Sequence, residues 1–309
     1  MKNSPMVSAV IPSRERAALA VRAVRTALSQ TYSNIEVIVV VDGPDAKTTS
    51  ALSKVRDQRL RVVTLPQPAG GASARNAGVE EARGEWIAFL DDDDEWLPGK
   101  IESQLALAAS SGCAEPIVSC RFAARTNTVE HSWPVRLPGA DEPISDYLLV
   151  RSGVERTEGF IATPTILARR SLLKRVPFTS GLKRHQDWDW VLRAIREPEV
   201  RVMFCPEALV VCNMQSENST SRRTDWRFSL EWIRRMRPFI SKRAYASFLT
   251  CHVAWQAAAE DAWPLFFPLL MEAATCGSLR IGDVVRYAGF WFMPRNLRQW
   301  AQRQVSLSR

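Results

Sequence analysis

Short apolar runs recur through the first half of the chain, each followed by a polar stretch with apolar positions at helical spacing. Residues 7–12, 35–41, 60–65 and 86–90 are rich in β-branched or aromatic side chains, the pattern of strands buried in a parallel sheet. Between them, residues 16–30, 47–55 and 72–82 are predicted helices; the first carries an apolar face of Leu19, Ala23, Ala27 and Leu28. Strand and helix alternating at this spacing make βαβ units and a mostly parallel sheet with helices on both faces. The pattern continues with a helix at 100–110, strands at 116–122 and 161–167, a helix at 186–196, and short strands at 201–205 and 208–212. From 123 to 159 it weakens into polar, proline-containing sequence, where acceptor-side loops are expected. Beyond residue 223 the chain is helical and holds six of its eleven tryptophans. The predicted organisation is an α/β domain over residues 1–221 and a basic, Trp-rich helical extension over 222–309.

Composition narrows the class. With 309 residues, 46% apolar and 24% charged, the chain has the balance of a soluble globular protein. The longest apolar run, 262–271, contains Pro264 and Pro268 and is far shorter than the ~20 residues of a spanning helix. The opening residues lack an apolar signal core, and the six cysteines form no C-x-x-C pair. Both features suit a cytoplasmic protein with reduced thiols. The net charge of +8 is uneven: residues 222–309 hold fourteen Arg/Lys against six Asp/Glu, which leaves the first 221 formally neutral.

The candidate chemistry starts where Trp86-Ile87-Ala88-Phe89-Leu90 runs into Asp91-Asp92-Asp93-Asp94. Adjacent carboxylates repel, so such a run needs water or a cation to compensate it. In open α/β sheets ligands gather at the carboxyl ends of strands, and these acids stand at one. Hard oxygen donors there suit Mg²⁺ or Mn²⁺, which take one or two carboxylates together with substrate phosphates. Three further strand ends point the same way: Pro12-Ser13-Arg14, Asp42-Gly43-Pro44-Asp45, and the 70–76 segment Gly-Gly-Ala-Ser-Ala-Arg-Asn. Singly each has a plain alternative, since Asp42 before Gly43 also makes a turn and Arg75 also suits an exposed helix face.

Residues 7–16, 28–37, 70–78 and 84–94 together resemble the nucleotide half of family-2 glycosyltransferases with the GT-A fold, over roughly residues 5 to 220. The resemblance implies a metal-dependent, inverting transfer of sugar from a nucleoside-diphosphate donor to an acceptor hydroxyl. It casts Asp42 as reader of the nucleobase, Pro12 and Arg14 along the base or ribose, and Arg75 near the nucleotide. Asp91 and Asp93 form the D-x-D motif, with Asp93 the more direct ligand of Mn²⁺ or Mg²⁺ and with Asp91 and Asp92 counted among the cofactor-binding residues. Family members often carry two Asp before the glycine that follows the second strand; here the first is Val41. His185-Gln186-Asp187-Trp188-Asp189-Trp190 is similar to the family's E-D motif, which makes Asp187 the catalytic base, with Gln186 in the place of Glu. A carboxylate in the first turn of a helix is equally a favourable dipole partner. The loop 213–223 resembles the one that covers the diphosphate, or is a solvated connection.

The Q-x-x-R-W motif of processive synthases is absent, which favours single additions in glycan or polysaccharide biosynthesis. In the extension, Arg222, Arg223, Arg227, Arg234, Arg235, Arg237, Lys242 and Arg243 alternate with Trp226, Phe228, Trp232 and Phe239. A second set, Arg280, Arg286, Arg295, Arg298 and Arg303, surrounds Tyr287, Phe290, Trp291, Phe292 and Trp300. This mixture suits peripheral contact with anionic lipid at the inner face of a membrane, or a helical cap with core aromatics and solvated arginines. Nucleic acid fits less well. The expected partners are therefore a nucleotide-sugar donor and a glycan or lipid-linked acceptor. The rival functions are a nucleotidyltransferase and a non-catalytic sugar-nucleotide- or lipid-binding module.

Overall fold

The structure is a computed structural model that describes residues 4–125, 130–151, 159–213 and 225–294. It divides into two compact units, one of residues 1–133 and 161–216, the other of 134–160 and 217–309. Residues 134–160, which the sequence pattern leaves in the first domain, thus cluster with the carboxy-terminal helices.

The first unit is built on a nine-stranded mixed sheet. Its strands are β1 (Val7–Ser13), β2 (Ile35–Val41), β3 (Leu60–Thr64), β4 (Trp86–Phe89), β5 (Glu95–Trp96), β6 (Glu115–Arg125), β7 (Glu130–Trp133), β8 (Leu167–Arg169) and β9 (Val200–Asn213). They lie in the order β3-β2-β1-β4-β8-β6-β9-β5, with β7 beside β6. The β3-β2-β1-β4 part is parallel, with Val10 opposite Ile38 on one side and Phe89 on the other. In the other half, β8 runs antiparallel to β4 and β6, β5 antiparallel to β9, and β6 parallel to β9. The helices of this unit are α1 (Ala17–Leu28), α2 (Ala46–Leu52), α3 (Gly71–Glu81), α4 (Lys100–Ser110), and, after α5 of the second unit (Ile144–Leu149), α6 (Arg170–Arg175) and α7 (Gln186–Ala194). Small residues set how closely they approach the sheet. A Cβ on Gly78 of α3 would stand 2.3 Å from Cγ1 of Val10, so only glycine allows that contact.

Two sequence expectations change here. Residues 161–166 do not form a strand. Thr163-Pro164-Thr165 makes a buried 3₁₀ turn, because Pro164 has no N–H for a ladder, and the returning strand is β8 at 167–169. The two short strands at 201–205 and 208–212 are one long strand, β9. Its pairing with β6 slips where Cys205 faces Cys120 but Ala208 faces Arg121, which sets Pro206 and Glu207 out of register as a bulge. All six cysteines are free thiols.

The second unit joins α5 to α8 (Trp226–Met236), α9 (Lys242–Ser247), α10 (Ala254–Ala259), α11 (Phe266–Cys276) and α12 (Ile281–Phe292), with a π-helical turn at Phe248–Val253 linking α9 to α10. The α8 and α9 helices start on side-chain caps: Asp225 accepts from Phe228 N and Ser241 from Ala244 N. Arg151 N donates to Ser247 Oγ at 2.9 Å, which ties the 134–160 segment to α9. Trp226, Trp232, Tyr287 and Trp291 are buried here, so these aromatics of the basic stretch are core residues. Asp283, fully buried, is held by Arg243 (2.5 and 3.0 Å) and Arg286 (2.7 Å). Among the described residues no helix is long and apolar enough to cross a membrane. Arg222, Arg223, Arg295, Arg298, Trp300, Arg303 and the loop beyond Asn213, to which the sequence assigns roles, lie outside the described residues.

Candidate active site

Because β1, β2 and β4 are parallel neighbours, their carboxyl ends deliver Ser13, Asp42 and the 91–94 run to one edge of the sheet. Pro12 is half-buried opposite Val40, while Arg14 is exposed and lies 3.9 Å from Glu15. Buried Asp42 follows β2 and accepts two backbone N–H groups, Ala69 N at 2.6 Å and Gly70 N at 3.0 Å. It thereby clamps the loop that starts α3. Gly43 behind it has φ +96°, and a Cβ there would stand 2.9 Å from Pro68. A carboxylate keeps further lone pairs after two such bonds, so Asp42 retains capacity to accept from a ligand.

The acid run is not four equivalent charges. Asp92 is buried and accepts Ser13 Oγ (2.7 Å) and Arg16 Nη1 (3.0 Å); burial still pushes its carboxyl up to about 6. Asp93 accepts the same Arg16 Nη1 at 2.8 Å. Its backbone oxygen receives Arg22 Nη2 (2.7 Å) and Asn213 Nδ2 (2.6 Å). Asp94 is buried, accepts Asn213 N at 2.9 Å, and is raised well above the usual carboxylate range by burial beside Asp91 and Asp93. Asp91, whose side chain is 30% exposed, pairs with Arg75. The repulsion expected in the sequence is thus relieved by two arginines, Arg16 on Asp92 and Asp93 and Arg75 on Asp91. Arg16 and Arg22 have no assigned role in the sequence reading, and Ser13 and Asn213 enter it only as members of the 12–14 strand end and the 213–223 loop. Arg16 lies within the 7–16 run that carries the family resemblance, which was the available signal.

Buried Arg75 on α3 is the bridge between the two constellations. Its Nη2 meets Asp91, and its Nη1 donates to Gln186 Oε1 at 2.7 Å. Gln186 opens α7 and donates from Nε2 to Leu182 O at 2.6 Å. Next to it, Asp187 accepts Trp188 N at 2.9 Å. Burial lifts the Asp187 carboxyl to about 6, Arg75 opposes that rise, and Asp91 adds to it. The preceding His185 has φ +59°, a left-handed turn that starts the helix, and its ring stacks on Trp188. Asp189 is committed elsewhere, to Thr179 Oγ1 (2.7 Å) and Arg193 Nε (2.9 Å). The structure therefore gathers Asp91, Arg75, Gln186 and Asp187 into one group. Asp92 and Asp93 form a second group around Arg16, while Asp42 serves the loop at 69–70.

The run's donor set bears on a metal. No cluster of three His, Cys, Asp or Glu converges as a metal cage among the described residues. The side chains of Asp91 and Asp93 are 30% and 18% exposed, against 7% for Asp92. Two accessible hard-oxygen donors fit a Mg²⁺ or Mn²⁺ that completes its shell with phosphate and water, and do not fit an all-protein site.

The mixed sheet, with its acids at the parallel strand ends and a helical carboxy-terminal part, is that of GT-A glycosyltransferases. The model for glycosyl transferase family 2 matches residues 8–176, and the chain belongs to that family; it is a glycosyltransferase. Curated relatives include the amylovoran biosynthesis glycosyltransferase AmsB of Erwinia amylovora, 28% identical over 76% of this chain and 79% of its own. The putative colanic acid biosynthesis glycosyl transferase WcaA of Escherichia coli is 30% identical over 64% of this chain and 68% of its own. Over a shorter stretch, 26% of this chain and 33% of its own, an Escherichia coli UDP-Glc:alpha-D-GlcNAc-diphosphoundecaprenol beta-1,3-glucosyltransferase, WfaP, is 42% identical. Among solved structures, S. aureus TarS 1-349 in complex with UDP-GlcNAc superposes with a TM-score of 0.60 at 17% identity, covering 96% of this chain and 92% of TarS 1-349. The mannosyltransferase PcManGT from Pyrobaculum calidifontis, in complex with GDP-Man and Mn²⁺, gives 0.58 at 18% identity, covering 99% and 86%.

Proposed function

We propose that the chain transfers a sugar from a nucleoside-diphosphate donor to an acceptor hydroxyl with inversion at the anomeric carbon, one addition at a time, in glycan or polysaccharide biosynthesis. The observation that carries this reading is the single guanidinium of Arg75, which holds Asp91 of the acid run and Gln186, the neighbour of Asp187. Asp187 takes the proton from the acceptor hydroxyl as that oxygen forms its bond to the anomeric carbon. The bond from that carbon to the diphosphate breaks on the opposite face, and its electron pair leaves with the nucleoside diphosphate. The carboxyl raised to about 6 suits this task, because it is mostly ionised at neutral pH yet basic enough to accept a proton. Asp42, Pro12 and Arg14 line the nucleoside side, and Asp93 with Asp91 would hold Mn²⁺ or Mg²⁺. A cation there supplies charge compensation for the leaving diphosphate. Arg16 and Arg75 hold the acids apart and oriented when donor is absent.

The donor class draws on the neighbours seen with UDP-GlcNAc and GDP-Man. The acceptor class, a glycan or lipid-linked sugar, draws on relatives named for amylovoran and for a diphosphoundecaprenol acceptor. A lipid-linked acceptor would bring the chain to the cytoplasmic face of a membrane as a peripheral protein. The test is a panel of nucleotide sugars with and without Mn²⁺, scored for thermal stabilisation and nucleoside-diphosphate release, on the wild type and Asp93→Ala. Cation-dependent diphosphate release that Asp93→Ala lacks is the expected result. Formation of nucleoside triphosphate and sugar 1-phosphate when pyrophosphate is supplied, in place of diphosphate release, or donor affinity in Asp93→Ala equal to wild type with and without Mn²⁺, would overturn it.

A further inference from the structure

The outward face of the last two helices is apolar. Seven of the ten large hydrophobic side chains exposed among the described residues fall between Trp263 and Phe292. On α12 the inward stripe is Asp283, Tyr287 and Trp291, all buried, whereas the outward stripe is Ile281, Val284, Val285 and Phe292. On α11 Leu269 and Ala273 face in, while Phe267 and Met271 face out. Helices apolar on both faces belong in a larger core or against lipid. The exposed rings are joined through half-buried Phe266: Phe267 contacts Phe266 (5.0 Å), Phe266 contacts Phe292 (5.7 Å), and Phe292 contacts Trp263 (5.8 Å). Exposure is high, at 73% for Phe267, 68% for Phe292 and 86% for Ile281.

Charge selects the occupant. The two acids within this stretch are both neutralised by arginine, Glu272 by Arg234 and Asp283 by Arg243 and Arg286. Exposed Arg280 lies beside Ile281, and the fifteen residues after 294 contain Arg295, Arg298, Arg303 and Arg309 with no acid. Apolar side chains flanked by arginine, with the local acids neutralised, match the depth profile of an anionic bilayer, where rings enter the acyl boundary and guanidinium groups meet phosphate.

We propose that the outward face of α11 and α12, centred on Trp263, Phe267, Val285 and Phe292, is a docking surface for anionic membrane. It deepens the functional reading only by locating the lipid contact, and stands on observations independent of Asp187. The test is co-sedimentation of the full chain with vesicles of phosphatidylcholine alone, or with about a third phosphatidylglycerol. The variants are Phe267→Glu/Val285→Glu and, separately, Ile281→Asp; all three side chains are exposed, and unchanged melting confirms the fold. Wild type should bind the anionic vesicles, less so as salt shortens the screening length, and the double variant should bind at least about tenfold more weakly. Ile281→Asp should weaken binding in the same direction, with nucleoside-diphosphate release on a water-soluble acceptor unchanged. Equal binding of wild type and variants, equal binding to both vesicle types, no binding at all, or a lipid-free dimer that the double variant dissolves would overturn the proposal. A chain that transfers no sugar yet binds anionic vesicles through this face would support the surface and count against the transferase reading.

Discussion

The clamp made by Asp42 gives a prediction whose size follows from its two hydrogen bonds. Each carboxylate oxygen takes one backbone N–H, from Ala69 and from Gly70. In Asp42→Asn the amide oxygen keeps one of them, and the NH₂ group faces the other donor to donor. A charge-assisted bond is lost, a cost of about 1.5–3 kcal/mol. At 2–4 °C per kcal/mol for a unit of this size, the first unit should melt roughly 3–12 °C lower. Because Gly70 starts α3, the carrier of Arg75, donor KM should rise more than kcat falls at saturating donor. Calorimetric melting with steady-state kinetics measures both. Unchanged melting together with lost nucleotide affinity would show that Asp42 serves the ligand alone, and the clamp argument would be wrong.

Three residues, Asp187, Lys100 and Gly78, give further outcomes. With the Asp187 carboxyl at about 6, kcat/KM should rise with its ionised fraction and be about tenfold lower at pH 5 than at pH 7. Since folding raises this carboxyl from the ordinary 3.8, the folded state holds its proton more tightly. Its contribution to stability is therefore present at low pH and fades as pH rises through about 6, so Asp187→Asn should flatten that decline. Buried Lys100 lies over the Trp96 ring (4.3 Å), donates to Gln104 Oε1 at 2.6 Å, and is lowered by burial to about 8. Wild-type stability should thus gain as pH climbs from about 8 towards the ordinary 10.5, a gain that Lys100→Met should lack in pH-resolved denaturant melts. Gly78→Ala should cost about 1–3 kcal/mol in urea unfolding, because its Cβ would overlap Val10; an unchanged midpoint would mean that α3 can retreat from the sheet.

The parallel half of the sheet was legible because β1, β2 and β4 are buried on both faces and written as apolar runs, as in residues 35–41 and 86–90, while the edge strand β3 is half-exposed. The antiparallel half was less so. The two-residue strand β5 has no pattern of its own, and Pro164 and Pro206 interrupt apolar runs in opposite ways: one turns the chain, the other only bulges a strand. The acid run stood out as a candidate site, but its internal division did not. Which carboxylate meets Arg16, Arg75 or Asn213 depends on pairings more than seventy residues apart for Arg16 and more than a hundred for Asn213. Likewise, Trp226 and Phe292 belong to similar basic, aromatic stretches, yet one is buried and the other faces outward, a difference set by helix phase against partners that periodicity alone does not specify.

The central claim is that Asp187 removes the acceptor proton. The most direct test is Asp187→Asn, assayed in parallel for donor affinity by calorimetry with Mn²⁺ and for sugar transfer, with Asp189→Asn as comparison. Asn is nearly isosteric with Asp but takes no proton at neutral pH, and loss of general-base help costs ~10²–10⁴-fold. Asp189 is already held by Thr179 and Arg193, so its substitution should act on stability and far less on turnover. The account predicts that Asp187→Asn binds donor as wild type does and transfers sugar at least about a hundredfold more slowly. Normal turnover by Asp187→Asn, with Asp189→Asn inactive, would contradict it.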